Sequence, residues 1–162
     1  MTRVAAIDCG TNALRRLIAD IDGSELIEIT RLMRTVRLGE GVDRTGEFSE
    51  AALERTFAVC EEYAKLLAEH SVSLDRVRMV ATSASRDVSN RQQFIDGVHE
   101  RLGIEPEVIS GTEEAELSYA GATMSLSDLR EPALVVDIGG GSTEFVLGSS
   151  DYGAQVAAYL GI

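Results

Sequence analysis

Two short segments of the chain share an order of residue types that suits phosphate chemistry. Residues 4–11 read Val-Ala-Ala-Ile-Asp-Cys-Gly-Thr, and residues 133–143 read Ala-Leu-Val-Val-Asp-Ile-Gly-Gly-Gly-Ser-Thr. Each segment begins with an apolar, strand-forming run, continues with Asp-x-Gly and ends with hydroxyl side chains. An internal repeat of this kind predicts two similar halves, each with a glycine turn at the end of a strand.

Such a turn can bind an anion. Glycine allows positive φ and lets backbone N–H groups approach an anion without a Cβ in the way, and consecutive N–H groups form an anion-binding concavity. Asp8 and Asp137 cannot hold phosphate directly because like charges repel, but they suit a magnesium ion that bridges to phosphate. The alternative is a pair of tight hairpins whose aspartates only cap turns. The repeated order of residue types favours the phosphate site.

The elements that position these turns follow from the pattern of apolar residues. The segments 4–7, 14–21 and 26–38 predict an antiparallel meander with a hairpin turn at Asp22-Gly23. From Leu53 to Leu67, apolar residues recur every three or four positions, which predicts an amphipathic helix. Ser49 is its predicted N-cap, and Phe48 and Leu53 have the spacing of a hydrophobic staple. Further strands are predicted at 77–81, 107–109, 133–138, 144–147 and 152–162, further helices at 91–102 and 110–125, and a polar loop at 82–87. This order indicates an α/β fold with a mixed sheet.

Composition excludes several classes of protein. The chain has 162 residues, 44% of them hydrophobic, which is enough for a core. A net charge of −12 argues against a nucleic-acid-binding or anionic-membrane-binding surface, because both need basic residues. No apolar run approaches the ~18 residues of a membrane span, and the N-terminus lacks a signal-peptide pattern. The two cysteines form no disulfide scaffold, so a cytoplasmic location is expected.

Four motifs appear in order along the chain, at residues 8–12, 81–87, 110–115 and 137–144. Together they resemble the exopolyphosphatase / guanosine pentaphosphate phosphohydrolase family of the actin, sugar-kinase and heat-shock-ATPase superfamily. The glycine turns alone indicate the superfamily, whereas the Thr-Ser-x-Ser-Arg and Ser-Gly-x-Glu-Glu motifs select the phosphatase family. The resemblance implies a ribonuclease H-like (actin-like ATPase) domain with a mixed five-stranded sheet and flanking helices at residues 1–126. Residues 127–162 would supply the first strands of a second similar domain.

The resemblance also implies an activity and a set of site residues. The family hydrolyses terminal phosphoanhydride bonds of inorganic polyphosphate or guanosine pentaphosphate, with water attacking a phosphate held by the two turns and a divalent cation such as Mg²⁺. Glu114 would be the catalytic base. The substrate-binding residues would be Gly10, Thr11, Asn12, Arg86, Gly139, Gly140, Gly141, Ser142 and Thr143. The metal ligands would be Asp8, Asp137 and Glu144, of which Glu144 is the weakest because strand alternation could turn it to solvent.

Two of these assignments have ordinary structural alternatives. Ser110 and Glu113 form a capping box, which gives Glu113 a structural role and leaves Glu114, the residue that aligns with the family's catalytic glutamate. A first-turn glutamate is also favoured by the helix dipole alone. Arg86 suits bidentate phosphate binding, with a surface ion pair to Asp87 as the alternative. Cys9 has no neighbouring base and is interpreted as a packing residue rather than a nucleophile.

The chain departs from the family pattern at two positions and in length. Asn12 is followed by Ala13 where the family usually has serine, which removes a hydroxyl donor. Arg16 occupies a position that is mostly apolar in relatives; a buried arginine is costly, and the sequence does not decide where it points. Family members continue well beyond this chain, so it is expected to be a truncated form with weak or no turnover. The alternatives are an ATP-binding module of the same superfamily and a non-catalytic assembly module, with a homodimer as a candidate state.

Overall fold

The computed structural model describes residues 1–124, 126–130 and 132–149, together with the backbone of residues 153–160. Contacts divide the chain into two compact units, Met1–Val108 and Ile109–Ile162, and each is described by itself. The domain boundary expected after residue 126 stays a prediction. Among the described residues, no helix is long and apolar enough to cross a membrane.

The first unit is built on a mixed five-stranded sheet. Its strands are β1 (Thr2–Cys9), β2 (Ala13–Asp22), β3 (Glu25–Thr35), β4 (Val77–Ala81) and β5 (Glu107–Val108). Their spatial order is β3-β2-β1-β4-β5. The strand β1 pairs antiparallel with β2 and parallel with β4, so the carboxyl ends of β1 and β4 meet at one edge. The predicted α/β class and mixed sheet are confirmed.

Helices of this unit are α1 (Val42–Thr45), α2 (Glu50–Glu69), α3 (Ser83–Arg86) and α4 (Arg91–Leu102). The predicted N-cap is present, because the Ser49 side chain accepts a hydrogen bond from the Ala52 amide. Gly97 of α4 is the point of closest approach, since an added Cβ would lie 2.1 Å from the Phe57 ring of α2. The core lies between the sheet and α2 and α4, where interior packing leaves no room for such an atom.

Three details of the first unit differ from the expectations. The segment 82–87, expected to be a polar loop, contains the single-turn helix α3. The segment after β3, where Gly39, Gly41 and Gly46 predict a loop, contains α1 between left-handed Gly41 and Gly46. The strand β3 ends at Thr35, and the apolar residues Val36 and Leu38 are buried in the following loop instead of continuing the strand. In the first two segments the local sequence is compatible with a short helix, and in the third the burial of Val36 and Leu38 ends the strand earlier than the apolar pattern predicts.

The structure decides where Arg16 points. Its side chain is 1% exposed and faces the core from β2. The guanidinium lies 5.5 Å from the centre of the Tyr63 ring of α2, and Nη2 donates to Thr30 Oγ1 over 3.4 Å. Burial lowers the pKa of the Arg16 guanidinium, as expected for a charge removed from water. The aromatic ring therefore partly compensates a costly buried charge.

The second unit packs one helix on an antiparallel sheet. The helix α5 (Gly111–Thr123) covers a sheet of β6 (Ala133–Ile138), β7 (Thr143–Ser149) and β8 (Gly153–Leu160), in that spatial order. Its small core contains Ala115, Tyr119 and Val146. The expected strand at 152–162 is present over Gly153–Leu160; residues 152, 161 and 162 lie outside the described residues.

Candidate functional site

The two glycine turns have the same backbone hydrogen bond. The first turn joins β1 to β2, and the Gly10 amide donates to the Ala13 carbonyl over 3.0 Å. The second joins β6 to β7, and the Gly139 amide donates to the Ser142 carbonyl over 2.9 Å. Each turn closes a hairpin whose first strand carries an aspartate two residues before the glycine. The internal repeat seen in the sequence is therefore a repeat in structure.

The turn glycines do not use the positive φ that glycine makes available. Neither Gly10 nor Gly139 has a positive φ, so left-handed conformation does not explain them. A Cβ on Gly139 would lie 3.0 Å from the Ser142 carbonyl oxygen, whereas a Cβ on Gly10 would approach nothing closer than 3.5 Å. A side chain at Gly139 would thus crowd the turn itself. Gly10 leaves its space open, as access of an anion to the backbone needs.

The first turn is in contact with the Thr-Ser-x-Ser-Arg motif. The Thr11 and Ser83 hydroxyls lie 3.1 Å apart in a hydrogen bond, and the Thr82 amide donates to the Cys9 carbonyl over 3.1 Å. These bonds fix the start of α3 against the end of β1, with Arg86 half-buried at the end of α3. Two of the predicted motifs therefore meet at the carboxyl ends of parallel strands, where α/β sheets bind ligands.

Other predicted residues of the first turn have structural roles. The Asn12 carbonyl accepts hydrogen bonds from the Val36 and Arg37 amides, and the Asn12 side chain is exposed. Asp8 accepts from Arg15 over 2.9 Å, and both side chains are substantially exposed. The two residues are directly opposite in the β1–β2 register. The Asp8 carboxylate is therefore already matched by a cation of the chain.

The second turn carries a different arrangement. Asp137 and Glu144 are directly opposite in the β6–β7 register, which places the Cβ atoms of such a pair about 5 Å apart. Glu144 is 1% exposed, and its Oε1 has no hydrogen-bond partner among the described residues. The Ser118 hydroxyl of α5 donates to Asp137 Oδ2 over 2.5 Å. Strand alternation turns Glu144 inward, so the solvent-facing alternative considered for it is wrong.

This pair suits a cation. Burying a carboxylate without a partner is costly, and a second carboxylate beside it raises the cost. A divalent cation would relieve both charges, and oxygen ligands are the ones that Mg²⁺ prefers. The described residues contain no cluster of three or more His, Cys, Asp and Glu side chains able to hold a metal. The protein would thus supply two carboxylates, Asp137 and Glu144, with the remaining positions open to water or phosphate oxygens.

The helix α5 begins as the capping pattern predicts. The Ser110 hydroxyl accepts a hydrogen bond from the Glu113 amide over 3.1 Å. Glu114 is half-buried in the first turn. Two turns further along the same helix face, a Cβ added to Gly121 would contact nothing within 4 Å, so there is open space beside this residue.

Cys9 is a packing residue, as interpreted from the sequence. It is buried in the core of the first unit as a free thiol. Burial raises the pKa of the Cys9 thiol well above its usual range, so the nucleophilic thiolate is disfavoured.

Three contributors to the site were not singled out from the sequence. Ser83 binds Thr11, Ser118 binds Asp137, and Arg15 neutralises Asp8. A signal for Ser118 is its spacing from Glu114, because residues four apart share a helix face. A signal for Arg15 is its place after the turn, which sets it opposite Asp8 in a tight hairpin.

The mixed sheet and the paired glycine turns define a protein with the actin-like ATPase fold. Its sequence matches the model of the Ppx/GppA phosphatase family over residues 17–162, and the chain belongs to this family. Exopolyphosphatase 2 of Mycobacterium tuberculosis is 49% identical over 170 residues, which cover 99% of this chain and 53% of the relative.

Comparison with solved structures gives the same family. The crystal structure of an exopolyphosphatase-like protein superposes with a TM-score of 0.88 at 47% identity, covering 98% of this chain and 49% of that one. The Ppx/GppA family member of Aquifex aeolicus superposes with a TM-score of 0.81 at 37% identity, covering 99% and 51%. The chain therefore spans about half the length of the relatives it matches.

Proposed function

We propose that this chain belongs to a phosphoanhydride hydrolase that removes the terminal phosphate of inorganic polyphosphate, and that it supplies the residues that activate water and hold the phosphate. The observation that carries the proposal is the buried Glu144 beside Asp137 at a glycine turn. Membership of a phosphatase family supports the same reaction class.

In this proposal Glu114 is the general base that takes a proton from the attacking water. Each turn positions phosphate oxygens through its own backbone amides and hydroxyls, in residues 10–12 together with Arg86 and in residues 139–143. Asp137 and Glu144 would hold Mg²⁺, which would neutralise charge on the phosphate. Such a reaction needs positioning and charge neutralisation more than covalent catalysis. Asp8, the third metal ligand implied by the resemblance, contributes less to metal binding in this proposal because its carboxylate already forms an ion pair with Arg15.

The test is phosphate release from polyphosphate in the presence of Mg²⁺. Glu114→Gln removes the base, and a general base contributes about 100-fold or more to the rate. Glu116→Gln is the matched control, because it makes the same change on an exposed residue of the same helix. Unchanged activity in Glu114→Gln contradicts the mechanism. Polyphosphate binding is measured in parallel, as a readout that does not depend on turnover. Polyphosphate binding that requires Mg²⁺ supports the proposal, and binding in excess chelator contradicts it.

Guanosine pentaphosphate and ATP are the competing substrates. Release of phosphate from each is compared with that from polyphosphate at equal concentration of terminal phosphate. Preference for ATP would favour a nucleotide-binding module of the superfamily, and preference for guanosine pentaphosphate would change the substrate but not the roles of the residues. The cytoplasmic location stays a prediction.

A further inference from the structure

The two edges of the five-stranded sheet differ greatly in length. β5 contributes two residues to one edge, whereas β3 contributes eleven to the other. Among the described residues of the first unit, no strand pairs with the outer side of β3. Four large apolar side chains of this strand are 37–58% exposed: Leu26, Ile27, Ile29 and Met33. A long open edge with exposed apolar side chains is a template for another strand.

The charged residues of β3 are arranged symmetrically with opposite signs. Glu25 and Glu28 precede the midpoint between Ile29 and Thr30, and Arg31 and Arg34 follow it at the same distances. If two β3 strands pair antiparallel about a two-fold axis at this midpoint, each glutamate faces an arginine of the second copy. Glu28 then lies opposite Arg31, and Glu25 opposite Arg34. Opposite charges directly across a strand pair are stabilising, and like charges are destabilising.

A bulge keeps the facing residues on the same side of the sheet. Residues at an odd separation on a regular strand point to opposite faces, so Glu28 and Arg31 could not otherwise meet. The β2–β3 register shifts by one residue between Ile18 and Ala19, which leaves Ile29 as the extra residue. Beyond the shift, Glu28 pairs with Ala19, and before it Arg31 pairs with Leu17. Both β2 partners are odd-numbered positions of one strand, so Glu28 and Arg31 share a face.

The apolar residues Leu26 and Met33 lie on the same face of the sheet as Glu28 and Arg31. Leu26 pairs with Ile21 and Met33 with Arg15, again odd-numbered positions of β2. In the two-fold arrangement Leu26 of one copy lies opposite Met33 of the second copy, on the face that carries the Glu28–Arg31 pair, whereas Glu25 and Arg34 pair with even-numbered positions of β2 and share the other face. Two of the four exposed apolar side chains, Leu26 and Met33, thereby lie against one another.

We propose that two copies of this chain associate through the outer edge of β3, antiparallel about a two-fold axis between Ile29 and Thr30, to form one continuous ten-stranded sheet. This interface is isologous, because the same strand contributes to both sides. Charges on an edge strand reject partners in general. On β3, the order of the charges disfavours pairing in other registers and favours pairing with a second copy in the register described above. The intrachain pair Arg31–Glu28 is exposed, so Arg31 can also bind the second copy, whereas Arg34 is partly buried and donates two hydrogen bonds to Glu62 of α2.

Charge reversal with mixing tests this arrangement. Sedimentation velocity of the 162-residue chain at physiological ionic strength is expected to show a concentration-dependent dimer. Glu28→Arg and Arg31→Glu each place like charges opposite one another at two symmetric sites, and each is expected to weaken dimerisation about tenfold or more. An equimolar mixture of the two variants is expected to restore it, because one variant then carries two arginines and the other two glutamates at these positions.

A matched pair of variants controls for charge changes on this fold. Arg78→Glu and Glu107→Arg reverse an exposed ion pair near the opposite edge of the same sheet, and both are expected to dimerise like the wild type. The mixture separates interface from stability, because a variant that merely loses the Glu28–Arg31 intrachain pair is not rescued by its counterpart.

Hydrogen exchange of the wild type gives an independent measurement that needs no variant. Backbone amides within residues 25–35 are expected to become more protected as protein concentration rises. A monomer at millimolar concentration overturns the proposal. So does a dimer that is insensitive to both reversals, or the absence of recovery on mixing.

Discussion

The two glycine turns have the same backbone hydrogen bond but carry different charges beside it. In the first, Asp8 lies opposite Arg15 in an exposed ion pair; in the second, Asp137 lies opposite Glu144, which is buried. The first turn is neutral without any ligand, whereas the second holds two adjacent carboxylates. The repeat therefore provides one scaffold for two tasks. Two carboxylates lie together at the second turn, so we expect the cation of the proposed chemistry to bind there rather than at the first turn.

The largest effect is expected for magnesium-dependent stability. Mg²⁺ at about 100 times its Kd is expected to stabilise the folded chain by about 2.7 kcal/mol, measured by thermal or denaturant unfolding against excess chelator. Glu144→Gln is expected to abolish this difference, and in chelator to be at least as stable as the wild type, because a buried unpaired charge is removed. Arg15→Gln, at the equivalent position of the first turn, is the control and is expected to keep the magnesium response. A magnesium response retained in Glu144→Gln would show that the two turns do not differ in this way.

A smaller effect is expected for the hydroxyl that supports the second turn. Ser118 donates to Asp137 over 2.5 Å, and hydrogen bonds to charged groups contribute about 1.5–3 kcal/mol. Ser118→Ala is expected to lower the free energy of unfolding by about 1.5 kcal/mol in urea denaturation. The double-mutant cycle with Asp137→Asn isolates the pair from other effects of each change. A coupling energy near zero would mean that the hydroxyl does not position the carboxylate.

The first glycine of each turn is expected to respond differently to alanine. Gly139→Ala forces a Cβ to 3.0 Å from the Ser142 carbonyl oxygen and is expected to cost about 1 kcal/mol. Gly10→Ala meets only ordinary contacts and is expected to leave stability nearly unchanged, while weakening polyphosphate binding by occupying space in front of the backbone amides. Urea denaturation and a binding titration on both variants check the two halves of this expectation. Equal destabilisation by both substitutions would contradict the different roles of the two glycines.

The smallest effect concerns acid sensitivity, because the first unit pairs another of its carboxylates with arginine. Arg3 donates two hydrogen bonds to Asp20, over 2.9 and 3.0 Å, and these hold the pKa of Asp20 below its ordinary value. A folded-state pKa below the unfolded one stabilises the fold above about pH 4, and this contribution is lost as pH falls through the depressed pKa. Unfolding curves for the wild type and Asp20→Asn are therefore expected to differ at neutral pH and to converge in acid. Asp22→Asn, an exposed aspartate of the same strand, is the control. A difference that persists in acid would assign the effect to packing.

Much of the fold could be predicted because its signals are local. Asp22-Gly23 fixes the β2–β3 hairpin, with Gly23 at positive φ, and Ser49 marks the start of α2. The repeat of Asp-x-Gly predicted two equivalent hairpins. The helix α3 was missed because a four-residue helix is too short for periodicity, and it is held by contacts with the end of β1.

The charges of the site were less predictable than its position. Alternation along a strand gives two faces but does not say which face is covered, so the burial of Glu144 and Arg16 depends on helices from elsewhere in the chain. Arg16 meets the ring of Tyr63, which lies in a different element. The ion pair of Asp8 likewise depends on the strand register. Sequence motifs therefore located the turns, while their electrostatic difference needed the pairing of strands.

The central position of β1 has a consequence for synthesis of the chain. β1 pairs on one side with β2, which follows at once, and on the other with β4, which follows only after α2. As the nascent chain leaves the ribosome, the three-stranded meander can form from local contacts, but the second side of β1 stays unpaired until residues 77–81 emerge. Parallel pairings of this kind are slow to form and leave strand edges open to aggregation. A ribosome stalled between α2 and β4 would thus display an open sheet edge, and holdase chaperones are expected to bind the nascent chain at this length and to release it once β4 has docked.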